Sequence, residues 1–279
     1  MFQSDLLQDK RILITGGGTG LGKAMGRRCL ELGAKIVICG RREAVLEETQ
    51  AAFDETHPGR TLALPCDLRD AAAVEAMVEA AWAEAPLDAL VNNAAGNFLA
   101  KTESLSPRAL DAVLSIVLHG TAYVTLACGK RWLEAQHLGN VLSIVTTYAW
   151  TGSPYVVPSA MAKAGVLAMT RSLAVEWGRR GIRLNAIAPG PFPTKGAWDR
   201  LVPNPELDAA WKNKIPLGRV GEHIELANLA AYLLADQSGY VTGEVVTIDG
   251  GEWLKGAGQF SLMEALSDAD WEAMRARKG

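Results

Sequence analysis

Apolar residues recur along this 279-residue chain in two alternating rhythms. Short, near-continuous runs such as Ile12-Leu13-Ile14, Ile36-Val37-Ile38 and Leu90-Val91 suit strands buried on both faces. Between them, longer stretches space their apolar residues three and four apart, which gathers them on one face of a helix. The pattern predicts strands at Arg11–Thr15, Lys35–Cys39, Thr61–Pro65, Ala89–Asn92, Asn140–Val145, Arg183–Ala188 and Glu244–Ile248. Helices are expected near 21–32, 42–56, 70–84, 107–136, 158–179 and 222–235. A βαβαβ order met twice, then a seventh strand, predicts an α/β fold. Chirality and connection rules make it a doubly wound parallel sheet of order 3-2-1-4-5-6-7, with helices on both faces. Residues 191–217, rich in Pro, Trp and charge, fit neither rhythm and read as a substrate-covering insertion. Residues 252–279 read as a surface tail or a subunit contact.

Composition sets outer bounds. With 49% hydrophobic residues and a net charge of −3, residues 1–279 can bury the core of one large domain, and no linker or low-complexity segment divides them. The mildly acidic balance leaves no footprint for nucleic acid, and no apolar run approaches membrane-spanning length. Cys29, Cys39, Cys66 and Cys128 are scattered without Cys-x-x-Cys spacing, which argues against disulfides and against a metal site. Cys39 and Cys66 are expected as buried small hydrophobes. The start lacks the basic and apolar regions of a targeting peptide, and the end is not a peroxisomal address, so a cytoplasmic setting is expected.

Chemistry enters at the end of the first strand. Ile12-Leu13-Ile14-Thr15 runs into Gly16-Gly17-Gly18-Thr19-Gly20-Leu21-Gly22 and then a helix. In such a strand–turn–helix, Gly16 permits the tight turn, Gly20 lets backbone approach a pyrophosphate, and Gly22 allows close packing of helix on sheet. The helix N-terminus then faces the phosphates, so a dinucleotide site is expected. The second strand ends Cys39-Gly40-Arg41-Arg42, with no acid until Glu43. A carboxylate there would hold a ribose 2′-hydroxyl, whereas Arg41 suits a 2′-phosphate, so NADP(H) is favoured. The plainer reading of Arg41 and Arg42 is a solvated helix start, a mildly unfavourable place for cations.

The glycine run, Cys66-Asp67, Asn92-Asn93-Ala94-Ala95-Gly96, Lys163 and Pro189-Gly190-Pro191 occur in an order and spacing that resemble the short-chain dehydrogenase/reductase family over nearly the whole chain. The resemblance implies a Rossmann-type sheet and a cofactor held by Gly16, Gly18, Thr19, Gly20, Leu21 and Arg41. Asp67 and Leu68 would meet the adenine, Asn93 and Ala94 the adenosine ribose, and Lys163 the nicotinamide ribose. Pro189, Gly190, Phe192 and Thr194 would fix the carboxamide. Finer motifs, Asn93–Phe98, Val157–Gly165 and Pro189–Ala197, resemble the 2,4-dienoyl-CoA reductases, the mitochondrial-type branch most, in a bacterial-style relative.

The same resemblance exposes a departure. The family's usual acid is the tyrosine of a Tyr-x-x-x-Lys motif, and here Ser159 stands four residues before Lys163. A serine hydroxyl is far less acidic than a phenol of pKa about 10. Either the protein is catalytically silent, or another group serves, and Tyr148 is the candidate. Reduction of a conjugated dienoyl thioester needs a hydride, hydrogen bonds to the thioester oxygen where dienolate charge gathers, and a proton for the α-carbon. The dienoyl-reductase pattern puts Tyr148 and Asn97 at that oxygen, Ser159 in a supporting bond, and Lys163 at the ribose with its charge favouring the anion. Water is the proton source.

Each residue also has a plainer role: Tyr148 as a packing aromatic, Asn97 as a turn residue, Ser159 as a helix cap. His119 replaces an Asn that many relatives use to hold a relay water, and reads as structural or catalytic. For an acyl-CoA substrate the resemblance implies Arg69, Phe98, Ser106 and Arg200 as contacts. It further implies a homotetramer and an auxiliary step in unsaturated fatty acid β-oxidation. A reductase of carbonyl or simple enoyl thioesters stands as the alternative enzyme.

Overall fold

Seven parallel strands form one sheet in the order β3-β2-β1-β4-β5-β6-β7. They are β1 (Arg11–Thr15), β2 (Lys35–Gly40), β3 (Thr61–Pro65), β4 (Ala89–Asn92), β5 (Gly139–Ile144), β6 (Ile182–Pro189) and β7 (Val245–Ile248). The structure is a computed structural model and describes residues 2–194 and 204–276. Side chains alternate across the pleat as the strand period requires. Ile12 and Ile14 of β1 enter one buried cluster with Ile36, Ile38 and the helix His223–Leu234. Leu13, between them, enters the opposite cluster with Val37, Leu90, Val124 and Trp132. The sheet is covered on both faces, which is why its strands read as unbroken apolar runs.

The first helices are α1 (Gly20–Glu31), α2 (Glu43–Asp54) and α3 (Ala71–Glu84). Asp70 caps α3, its carboxylate accepting from the Ala72 and Ala73 amides. The helix expected over 107–136 is real but interrupted. α4 (Pro107–Leu114) passes through a wider π turn at Ser115–His119 into α5 (Gly120–Ala135). Together they span 29 residues, long and apolar enough by length and composition to cross a membrane, which corrects the expectation that no stretch reaches that length. Half of the most apolar window is buried in the fold. Gly120 backs onto Leu68 and Gly129 onto Trp177, the packing of a core helix.

Two regions carry more structure than the sequence rhythm indicates. Within the expected insertion lies the helix Pro205–Lys214, capped by Asn204, whose side chain accepts from the Leu207 amide at 2.8 Å. Past β7, Glu252–Ala257 and Asp268–Ala276 are helical. The four-residue α6 (Tyr148–Thr151) and the long α7 (Val157–Gly178) follow β5 and bring the catalytic candidates to the carboxyl ends of the strands. Ligands bind there in doubly wound sheets.

Candidate active site

A cleft of about 420 Å³ opens where β1 and β4 lie side by side with crossovers leaving in opposite directions. Of the residues expected to hold a dinucleotide, Gly16, Gly18, Thr19, Gly20, Leu21, Arg41, Asp67, Leu68, Asn93, Ala94, Lys163 and Thr194 line it. Gly16 and Gly20 have φ of +65° and +53°, backbone that L side chains rarely adopt. The turn is pinned from three sides. Thr49 donates to the Gly18 carbonyl at 2.8 Å, Asn93 Nδ2 donates to the Thr15 carbonyl at 3.0 Å, and Thr15 Oγ1 accepts from the Asn93 and Ala94 amides at 3.0 Å each.

This cradle fits an anionic cofactor. Thr19 begins α1 without a side-chain cap, and the first turn holds no acid, so amides at the positive end of the helix dipole are open to a phosphate. Gly22 is buried against the Gly16 carbonyl and Asn93 Nδ2, where a Cβ would collide with both. Gly22→Ala is therefore expected to cost roughly 1–3 kcal/mol of stability by overpacking and to loosen dinucleotide binding. Urea unfolding together with an NADPH titration checks it, and unchanged values in both would show that the turn can yield.

Arg41 and Arg42 both line the far end of the cleft, beside Asp67. Asp67 is held below the usual carboxylate range chiefly by its hydrogen bonds from Arg69. Arg69 Nη2 lies 2.5 Å from Asp67 Oδ2, and Nε lies 2.9 Å from Oδ1. Arg69, expected at CoA, thus rests on the dinucleotide side in this conformation. Pro189, Gly190 and Phe192 do not line the cleft. Gly190 backs onto Asp249, while Phe192 packs beside Gly221 and on the core cluster under the sheet.

Ile116, Ile144, Val145 and Lys163 also line the cleft. Lys163 is buried, and its Nζ donates to the Ile144 carbonyl. Burial pulls its pKa from 10.5 down to about 8. Ser159, one helical turn earlier on α7, is buried as well. It shares a 3.0 Å hydrogen bond with the half-buried Tyr148 hydroxyl. The serine in the usual tyrosine slot therefore has a phenol on it, delivered by α6 across eleven residues. Ser159 is no helix cap: it lies inside α7, whose N-cap is Val156.

The remaining candidates among the described residues do not line the cleft. Asn97 is exposed after β4, and its Oδ1 accepts from the Phe98 amide at 2.9 Å, a turn-type bond that leaves Nδ2 to donate elsewhere. Ala100 N donates to the Tyr155 carbonyl at 3.0 Å, joining this loop to the segment between α6 and α7. Ser106 is the N-cap of α4, its Oγ accepting from Ala109 N at 3.2 Å. His119 is exposed at the end of the π turn, its ring beside Tyr123 with centroids 6.2 Å apart, and it does not line the cleft. Arg200 lies outside the described residues.

The structure adds residues that sequence reasoning missed. Thr49 lay on the apolar face of α2 with Leu46 and Phe53, a polar residue at a buried position, which was a readable signal. Tyr155 has φ +65° and is more than half exposed at the site's rim, and no sequence feature marks that backbone. All four cysteines are buried and free, with their thiols pushed up by burial.

Comparison with known proteins identifies the family and the fold. The family model described as Enoyl-(Acyl carrier protein) reductase matches residues 16–252. A Bacillus subtilis protein named "Probable 2,4-dienoyl-CoA reductase ((2E)-enoyl-CoA-producing)" is 44% identical over 250 residues, covering 89% of this chain and 98% of that one. The crystal structure of a short chain dehydrogenase from Bacillus anthracis superposes with a TM-score of 0.82 at 43% identity, over 90% of this chain and 98% of that one. A structure from Agrobacterium tumefaciens with bound NADP gives a TM-score of 0.82 at 30% identity, over 90% of this chain and 100% of that one.

Proposed function

Because the chain belongs to the short-chain dehydrogenase/reductase family, we propose that it reduces 2,4-dienoyl-CoA thioesters to enoyl-CoA with NADPH. The observation that carries this reading is the Tyr148 hydroxyl on Ser159, one helical turn before the buried Lys163. A carbonyl reductase needs an acid that surrenders a proton to the substrate oxygen. A dienoyl thioester instead needs that oxygen held while charge spreads onto it. NADPH, when bound, would supply a hydride for the distal alkene carbon. Tyr148 and the Nδ2 of Asn97 donate to the thioester oxygen, and Ser159 fixes the direction of the phenol. Lys163 orients the ribose and offsets the growing negative charge, and water protonates the α-carbon. Arg69, Phe98, Ser106 and Arg200 are the contacts proposed for the CoA, with Arg69 leaving Asp67 to reach it. The dienoyl-CoA reductase names among the relatives support this substrate class. We also assign the protein to the cytoplasm, to a homotetramer, and to the auxiliary reduction step of unsaturated fatty acid β-oxidation.

The test is loss of NADPH absorbance on adding a dienoyl-CoA, with enoyl-CoA and ketoacyl-CoA thioesters as competitors, followed by identification of the product. Turnover of the dienoyl thioester above the others is expected. Preference for the ketoacyl thioester, or no consumption at all, would overturn the proposal. NADPH rather than NADH follows from Arg41 and Arg42 at the cleft, with Glu43 starting α2 outside its lining. Arg41→Ala is expected to weaken NADPH binding by roughly 1.5–3 kcal/mol and leave NADH nearly untouched, since a charge-assisted contact to the 2′-phosphate is lost. Equal losses for the two cofactors in a titration would show that Arg41 does not read the phosphate.

A further inference from the structure

The helix α6 that carries Tyr148 has four residues and buries none of them. So short a helix does not hold itself together, because its hydrogen bonds repay only part of the cost of fixing its backbone. The Tyr148 hydroxyl must therefore be located by contacts from elsewhere. One is Ser159. Another lies about a hundred residues on, where the ring of Trp253 meets Trp150 edge to face, with centroids 5.9 Å apart and planes at 88°. This is the favoured geometry for an aromatic pair.

Trp253 is itself firmly placed. Asp249, at the end of β7, accepts from the Gly251 amide at 2.9 Å and the Trp253 amide at 2.8 Å, fixing the start of the helix Glu252–Ala257. The next element is tied in by its neighbours. Glu252 Oε1 accepts from Trp211 Nε1 at 2.9 Å, and Lys255 Nζ donates to the Asn213 carbonyl at 3.1 Å. Both partners belong to the helix Pro205–Lys214. Neither Trp150 nor Trp253 lines the dinucleotide cleft.

We propose that Trp253 is a positioning residue that sets the Tyr148 turn through Trp150 and couples it, through Glu252 and Trp211, to the helix Pro205–Lys214. The C-terminal segment, which reads from sequence as a surface tail or a subunit contact, thereby fixes the group that holds the substrate oxygen. This rests on the proposed role of Tyr148. It goes further in naming what keeps that hydroxyl in place and in predicting that the helix Pro205–Lys214 and the catalytic turn move as one unit.

Two readouts test it. Hydrogen exchange of the NADPH-bound protein reads the turn without any substrate. Trp253→Ala is expected to speed exchange of the Ala149 to Gly152 amides by at least about tenfold, leave α1 unchanged, and keep NADPH affinity. Dienoyl-CoA turnover then reads the consequence: kcat falls about tenfold in Trp253→Ala, the scale of one aromatic pair, and Trp253→Phe restores most of it. In a Tyr148→Phe background the same Trp253→Ala change costs little more, because the hydroxyl it positions is already gone. Unchanged exchange in α6, or an equal kcat loss in both backgrounds, would overturn the inference. If Trp253→Ala loses NADPH binding and so fails to fold, Trp150→Ala removes the other ring of the pair and is read by the same measurements. Failure of wild-type protein to reduce any dienoyl-CoA would sink the functional proposal alone, and the exchange result would still decide the role of Trp253.

Discussion

Tyr148→Phe is expected to lower kcat for a dienoyl-CoA by about 10²–10³-fold, the scale of losing one well-placed oxyanion donor. The substitution keeps the ring and deletes a hydroxyl whose recorded partner is Ser159 Oγ at 3.0 Å. Tyr148 is half-buried at the head of α6 and does not line the dinucleotide cleft, so folding and NADPH affinity are expected to persist. Ser159→Ala is expected to cost less. It frees the phenol to turn but leaves the donor present, and Ser159 is buried without charge. The two variants together separate two chemistries. If the phenol stabilises a dienolate, the Phe variant is crippled and the Ala variant is slowed. If Tyr148→Phe turns over dienoyl-CoA at near the full rate while Ser159→Ala is dead, the chemistry belongs to position 159.

The framework was legible because it rests on periodicity. Ile12, Leu13 and Ile14 read as a strand and pack into the clusters on both sides of the sheet, and the turn Gly16 to Gly22 follows that strand closely. The cofactor end of the site was equally legible, since backbone amides and Gly conformations follow from local sequence. The catalytic end was less so. That Tyr148 reaches Ser159 depends on a turn too short to show any period, and here the family pattern supplied the pairing that spacing alone left open. The helix Pro205–Lys214 carried its signals, Asn204 before Pro205 with acids first and lysines last, but the surrounding Pro and Trp obscured them. Arg69 shows the limit of residue-by-residue transfer. Its guanidinium, two positions from Asp67, pairs with that carboxylate, a contact the family pattern does not announce. Contacts between remote segments, such as Trp150 with Trp253, have no signature in one sequence at all.

Lys163→Met is expected to abolish most activity and, more tellingly, to remove a specific slope from the pH dependence of stability. Burial lowers the amine from 10.5 to about 8, with desolvation as the cause. Below about 8 the folded and unfolded chains both carry the proton, and the folded state bears the full cost of a buried cation. Between about 8 and 10.5 the unfolded chain binds more protons than the folded one, so stability climbs with pH. Above 10.5 the cost is gone. The shift corresponds to roughly 3 kcal/mol across that window. Met fills a similar volume without a charge, so the difference in unfolding free energy between wild type and variant isolates this contribution from every other titrating group. Wild-type stability is expected to gain on Lys163→Met by roughly that amount between pH 8 and 10.5. The sign of the absolute difference at neutral pH is set by a second effect, the loss of the bond to the Ile144 carbonyl, which leaves a buried acceptor unmet. Activity supplies the complementary reading. If the cation offsets charge developing on the substrate, kcat falls about 10²-fold in the Met variant, and wild-type turnover declines as the amine deprotonates above its lowered pKa. Parallel stability curves for the two proteins across pH 8 to 10.5 would show that Lys163 titrates as an ordinary amine, and that the fold does not hold it as a buried cation beside the reacting centre.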